Sequence, residues 1–148
     1  MDPEKISASK TLVEWIDIYN KKNPWDPFER DNTCALFFRP DKGFCEVLFS
    51  PNVVGIGQVC GDGAFWKNKV DETARKLKIG YGLTYDIRGQ IKAYMRLFHA
   101  RILSREQDKN GLFIYHAEDK ATGKAILAVP AWTYNDCGVV AYRVIWEI

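Results

Sequence analysis

The chain lacks the equipment of several protein classes. Only two histidines, His99 and His116, occur in 148 residues, and Cys34, Cys45, Cys60 and Cys137 form no Cys-x-x-Cys pair, so no metal-ligand spacing is present. No apolar run approaches the twenty residues of a membrane helix, the longest being about Ala125 to Trp132 with a proline inside it. Met1-Asp-Pro-Glu-Lys has no signal-peptide layout, so a cytoplasmic location is expected. The formal charge is only +2, with both signs interspersed. A phosphodiester partner wants a concentrated basic face, so the chain is read as binding neither nucleic acid nor membrane.

What is present is an ordinary globular composition, 47% apolar and 14% aromatic, in a length suited to one domain over residues 1–148. No internal repeat or linker divides it, and a monomer or homodimer is expected. From Ser7 to Lys21, Leu12, Trp15, Ile16 and Tyr19 recur at helical spacing, and Thr11 with Glu14 forms a capping-box pattern. Asn23-Pro24 and Pro27 end that helix. Three strand-like runs follow, residues 33–38, 44–49 and 53–59, separated by the turn signals Pro40 to Gly43 and Pro51-Asn52, and they predict an antiparallel meander.

After the third run comes Gln58-Val-Cys-Gly61-Asp-Gly63, then an amphipathic helix from Ala64 with Phe65, Trp66, Val70, Ala74 and Leu77 on one stripe. A strand, a glycine loop and a helix start aim backbone N–H groups and a helix dipole at one point, which suits a phosphate. Gly55 and Gly57 weaken the strand before the loop, and two explanations stand: a β-bulge or close crossing, or a ligand lying on bare backbone. Cys60 lies where a thiolate is favoured by the helix start, and it also reads as a small buried hydrophobe. The remaining pattern predicts a strand over 79–85, a helix over 88–98, a strand over 99–106 running parallel to the one before the helix, a hairpin at Asp108 to Gly111, and strands over 112–116, 124–132 and 138–146.

This order of elements, with Gln58, Gly61 and Gly63 in a Gln-x-x-Gly-x-Gly pattern at the helix start, resembles the GNAT superfamily of acetyl-coenzyme A-dependent N-acetyltransferases. The stretch Ala93 to Ile102 is similar to that family's helix ending in a Tyr-x-x-Leu-Gly-Phe signature. The resemblance spans roughly residues 8–117 and leaves 118–148 as a C-terminal strand extension. It implies an α/β (α+β mixed) fold: a central, mostly antiparallel sheet with a splayed parallel strand pair and helices on both faces. It further implies acetyl-coenzyme A as acyl donor and a small-molecule or protein amine as acceptor. The pantetheine arm would lie along Val53, Gly55, Gly57 and Gln58, and the amides of Val59, Cys60, Gly61, Asp62, Gly63 and Ala64 would hold the pyrophosphate.

The chain departs from that pattern in two places. Asp62 stands where many relatives are basic, with its carboxylate either facing the pyrophosphate or turned to cap the helix. If His99 takes the glycine position, Met95 takes the place of the tyrosine that protonates the departing thiolate, and Tyr94 lies one residue away, roughly 100° around the helix. Glu46 and Asp86 are the acidic candidates for a general base, both also readable as exposed carboxylates; Tyr85 and His116 stand behind them. Trp25, Phe28 and Trp132 are candidates for the wall of an acceptor cleft. The alternative function is a non-catalytic binding or inhibitor module on the same fold, of the kind a mobile genetic element carries.

Overall fold

The computed structural model describes residues 9–148; the predicted start of the first helix at Ser7 lies partly outside them. The elements in chain order are α1 (Leu12–Lys22), β1 (Ala35–Arg39), β2 (Gly43–Phe49), β3 (Val53–Gly61), α2 (Gly63–Lys76), β4 (Tyr81–Asp86), α3 (Ile91–Leu97), β5 (Ala100–Gln107), β6 (Phe113–Asp119), β7 (Ala125–Thr133) and β8 (Val140–Glu147). All eight strands form one sheet in the order β1-β2-β3-β4-β8-β7-β6-β5. No helix among the described residues is long and apolar enough to cross a membrane.

The GNAT-like fold class expected from the resemblance is corrected by this architecture. Strand makes up 42% and helix 23% of the described residues, in an eight-stranded mixed sheet with three helices, rather than a helix-flanked split sheet. The reason lies in the second half of the chain. Turns at Asp108–Gly111 and Asp119–Gly123 return the chain on itself, so β5, β6 and β7 pair as an antiparallel ladder, and β8 inserts between β7 and β4. Residues 118–148, read as an extension, thus supply a central strand. The parallel pairing expected across α3 does not form either, because β5 lies at the far edge of the sheet and β4 takes β8 as its neighbour. The parallel pair is β3 with β4, joined through α2.

Alternation along the strands sorts the core into two layers. Cys45, Val47, Val54 and Ile56 face α2 and α3, where they meet Trp66, Val70, Ala74 and Met95. Phe44 and Cys60, paired with each other across β2 and β3, face the other way onto Tyr19 of α1. Burying a side chain such as Val70 contributes about 1.5–3 kcal/mol. The helix α1 has the predicted capping box, with Thr11 Oγ1 accepting from Glu14 N at 3.2 Å and Glu14 Oε1 accepting from Thr11 N at 3.1 Å. Helix α2 is tied to the sheet by a buried polar chain: the Trp146 indole donates to Asp71 Oδ1 at 2.8 Å, and Lys67 Nζ lies 2.7 Å from Asp71 Oδ2.

Candidate functional site

The strands β3 and β4 pair over only three positions, Val53 with Tyr81, Val54 with Gly82 and Gly55 with Leu83. The Thr84 hydroxyl then donates to Ile56 O at 3.0 Å, and beyond that bond the two strands separate. The cause is a bulge in β3. Its partner β2 aligns Cys45 with Val59 and Val47 with Ile56, so Gly57 and Gln58 together oppose the single residue Glu46. A bulge bends its strand and increases its twist. Here it turns β3 away from β4, and β3 keeps its pairing with β2 as far as Gly61.

The opened angle is a cleft of about 460 Å³. Gly57 through Gly61 line one wall with the strand edge that β4 has abandoned. The end of β4 and the following loop, with Tyr85, Asp86 and Arg88, form a second wall, and Ala93, Tyr94 and Leu97 of α3 a third. The fourth comes from the end of α1 and the segment after it. That segment is pinned across the cleft by the Trp25 indole, which donates to Ile87 O at 3.0 Å just beyond β4.

The structure brings most of the predicted cofactor residues to this cleft and leaves some outside it. Gly57, Gln58, Val59, Cys60, Gly61 and Gly63 line it. Val53 and Gly55 lie in the closed part of the strand pair, and Asp62 and Ala64 begin α2 just beyond the lining. Gln58 binds protein: Nε2 donates to Asp26 Oδ2 at 3.1 Å and Pro27 O at 3.0 Å, and Oε1 accepts from Glu29 N at 2.9 Å. Gly61 has its own structural reason. Its φ is 102°, and a Cβ there would stand 2.1 Å from Lys42 O, where β2 and β3 cross closely. Asp62 caps α2, with Oδ1 accepting from Phe65 N at 3.0 Å and Oδ2 lying 3.2 Å from Lys42 Nζ. The hydrogen bond from Phe65 N, more than the Lys42 ammonium, holds this carboxyl below the usual range. Burial pushes the Cys60 thiol up, which opposes the thiolate that the nearby helix start would favour.

The two acidic candidates are both buried, contrary to their reading as exposed carboxylates, and they are not alike. Glu46 lies under the β3 bulge, outside the cleft lining, with Oε2 3.1 Å from Arg30 and 3.2 Å from Asp31 N. Asp86 lines the cleft at 3% exposure. Its Oδ1 accepts from Arg88 N at 3.1 Å, and its Oδ2 has no partner. Burial raises its pKa above the usual carboxylate value, against the opposing pull of the backbone amides of Arg88, Gln90 and Gly89. Tyr94 also lines the cleft, and burial raises its phenol, so it stays protonated. The hydroxyl faces Thr84 and lies within the field of Asp86. His116 pairs with the exposed Glu106 at 3.1 Å on β5 and β6, apart from the cleft lining. Phe28 packs edge-on against Phe44 in the core beneath α1, and Trp132 stands at the cleft.

Sequence reasoning missed a polar cluster at the α1 end. The Tyr19 hydroxyl donates to Asp26 Oδ2 at 2.6 Å, and the Tyr134 hydroxyl reaches Asp26 Oδ1 at 3.5 Å. Asn23 Nδ2 donates to Tyr19 O at 3.1 Å, and its Oδ1 is buried without a partner. Asn23 and Asp26 sit in a segment that reads only as helix-breaking, and nothing in its pattern signals that it folds back over β3. No protein-family model, curated protein or solved structure matches the chain, so its own geometry carries the functional reading.

Proposed function

We propose that the cleft binds an extended, amide-bearing small molecule as an added strand beside β3, that the donor is acetyl-coenzyme A, and that the reaction is acyl transfer to an amine. The observation that carries this reading is the β3 edge from Gly57 to Gly61, unpaired by β4 and facing the cleft. Backbone N–H and C=O groups left along a strand edge are a template for an extended partner. The pantetheine arm carries two amides on a thin chain and matches that template, and Gly57 offers it no side chain to clear.

The arm fits better than the pyrophosphate. Asp62 already holds the first turn of α2 with a carboxylate and takes Lys42 as its counter-ion, so a phosphate there meets like charge unless Asp62 turns out. In the transfer itself, the amine nitrogen attacks the thioester carbonyl carbon, the carbon–sulfur bond breaks, the amine releases a proton and the leaving sulfur takes one. Asp86, buried with one free oxygen, is suited to hold the amine's proton; Tyr94, kept protonated, is suited to donate to the sulfur. Asp62 also favours a second reading, a binding module that holds an amide-bearing ligand without turnover.

Melting curves with acetyl-coenzyme A, coenzyme A and pantetheine test these readings. A ligand at a hundred times its dissociation constant adds about 2.7 kcal/mol, or roughly 5–10 °C for a domain of this size. Shifts with all three, together with thiol release when amines are added, support the transferase. A shift with pantetheine alone supports the binding module. No shift with any of them at millimolar concentration overturns both.

A further inference from the structure

The only two buried side-chain oxygen or nitrogen atoms without a partner among the described residues are Asn23 Oδ1 and Asp86 Oδ2, and both residues line the same cleft. Buried polar atoms are nearly always satisfied, and each orphan is costly to leave unpaired. Two orphans on residues that line one cavity from different elements, one after α1 and one at the end of β4, therefore point to a ligand. Both are acceptors. The Asn23 amide is oriented by its Nδ2 bond to Tyr19 O, which leaves Oδ1 as the free atom, and Asp86 Oδ1 is already bonded to Arg88 N.

We infer that this end of the cleft is a subsite for a small aliphatic ammonium compound, with its N–H groups donated to Asn23 Oδ1 and Asp86 Oδ2. The inference rests on the acyl-transfer reading only for its role as acceptor site; as a binding site it stands without it. A group that satisfies two acceptors, one of them a carboxylate, must bring at least two donors and benefits from positive charge. Beside Asp86 stands an aromatic wall, in which the ring centroids of Tyr85 and Trp132 are 5.0 Å apart and those of Trp132 and Tyr134 5.8 Å. Trp132 is 41% exposed. Arg143 approaches Tyr85, 5.9 Å from its centroid, so Trp132 and Tyr134 remain to receive an alkylammonium by cation–π contact. The covering segment, pinned by Trp25 to Ile87 O, roofs the subsite. A cleft of about 460 Å³ shared with a donor arm has room for a small molecule and not for a folded protein's surface.

The test uses the whole chain with no donor present. Titration of n-butylammonium against 1-butanol, followed by calorimetry and by the indole NMR signals of Trp132 and Trp25, is expected to show the ammonium binding at least tenfold more tightly. Asp86→Asn, which keeps the Oδ1 bond to Arg88 N, is expected to erase that preference. The unmutated protein supplies a control that needs no variant: n-butylammonium stays charged at mildly acidic pH, so its affinity falls as Asp86 is protonated. The other titratable or charged groups around Asp86 are Arg88 on its own loop, Tyr94 on α3, Tyr142 on β8, and Lys22 and Asp26 across the cleft. Equal affinity for butanol and butylammonium, or an Asp86→Asn protein that keeps the preference, overturns the inference. If the ammonium binds and no coenzyme A compound does, the subsite stands and the acyl-transfer reading falls; a donor shift without ammonium preference has the opposite meaning.

Discussion

The two ends of the β3–β4 pair use the same two strands for opposite purposes. At the closed end, Val54 is fully buried, Gly82 lies in hydrogen-bonded register with it, and the Trp146 indole presses so closely on Gly82 that an added Cβ would fall 2.1 Å from Cε2. At the open end, Gly57 to Gly61 border a cavity and Asp86 holds an oxygen that bonds to nothing. The difference teaches where this fold's stability comes from. A strand pair that separates forgoes ladder bonds and buries unsatisfied groups, and it persists only if its joined end is over-determined. The Trp146–Asp71–Lys67 chain supplies that excess at the closed end.

Breaking the closed end is therefore expected to have the largest effect. Trp146→Ala removes a fully packed indole and leaves Asp71 with only Lys67, and should cost about 3–5 kcal/mol in urea unfolding, or roughly 10 °C in melting temperature. A loss below about 1 kcal/mol would show that this end does not anchor the pair. Next comes the rim of the open end, where Gly61→Ala puts a Cβ at a φ of 102° and against Lys42 O. The expected cost is about 2 kcal/mol by the same measurement. A mutant that loses ligand binding while keeping its stability would instead assign Gly61 to the ligand.

That ambiguity at Gly61 shows what the chain revealed and what it withheld. The strand, glycine loop and helix over residues 53–76 are legible because alternation, turn residues and a 3.6-residue stripe are local signals. The reason for the glycines is not local. Gly61 answers to Lys42 and Gly57 to the bulge opposite Glu46, and such contacts depend on a register that no single segment encodes. The same holds for sheet order: each of β5 to β8 reads as a strand, yet the insertion of β8 between β4 and β7 is a choice among pairings that alternation alone leaves equal. Of the candidate site, Asp86 was legible as a carboxylate at a strand end. Asn23 was not, because a helix-terminating Asn-Pro has a sufficient local explanation.

The α2 start sharpens the comparison with a smaller effect. Asp62→Ala removes the side-chain cap on Phe65 N and should lower stability by about 1 kcal/mol. Asp62→Asn keeps a capping oxygen and should leave stability within a few tenths of a kcal/mol. If Asp62 is what opposes a phosphate at this corner, Asp62→Asn also strengthens the melting shift from coenzyme A relative to that from pantetheine. Equal shifts in parent and variant would show that its charge is not felt by the ligand.

The smallest expected effect lies at the open end and has the opposite sign. Burial raises the Asp86 carboxyl above its ordinary value of 3.8. Below that value the group is protonated in both folded and unfolded chains and makes no difference to stability. As the pH rises past it, the unfolded chain ionises first and the folded chain lags, so the folded state binds more protons and loses stability until its own carboxyl has ionised. Asp62 works in the adjoining window, because its lowered carboxyl contributes stability above 3.8 that is lost as the pH falls through its folded value. Asp86→Asn should therefore raise stability slightly at neutral pH, with the gain vanishing below about pH 4, measured as the midpoint of urea unfolding across the range. Trp146→Ala should show its loss at every pH. A stability loss in Asp86→Asn at neutral pH would mean that the unpaired oxygen is held for the fold and not for a ligand, and the two ends of the strand pair would then be alike.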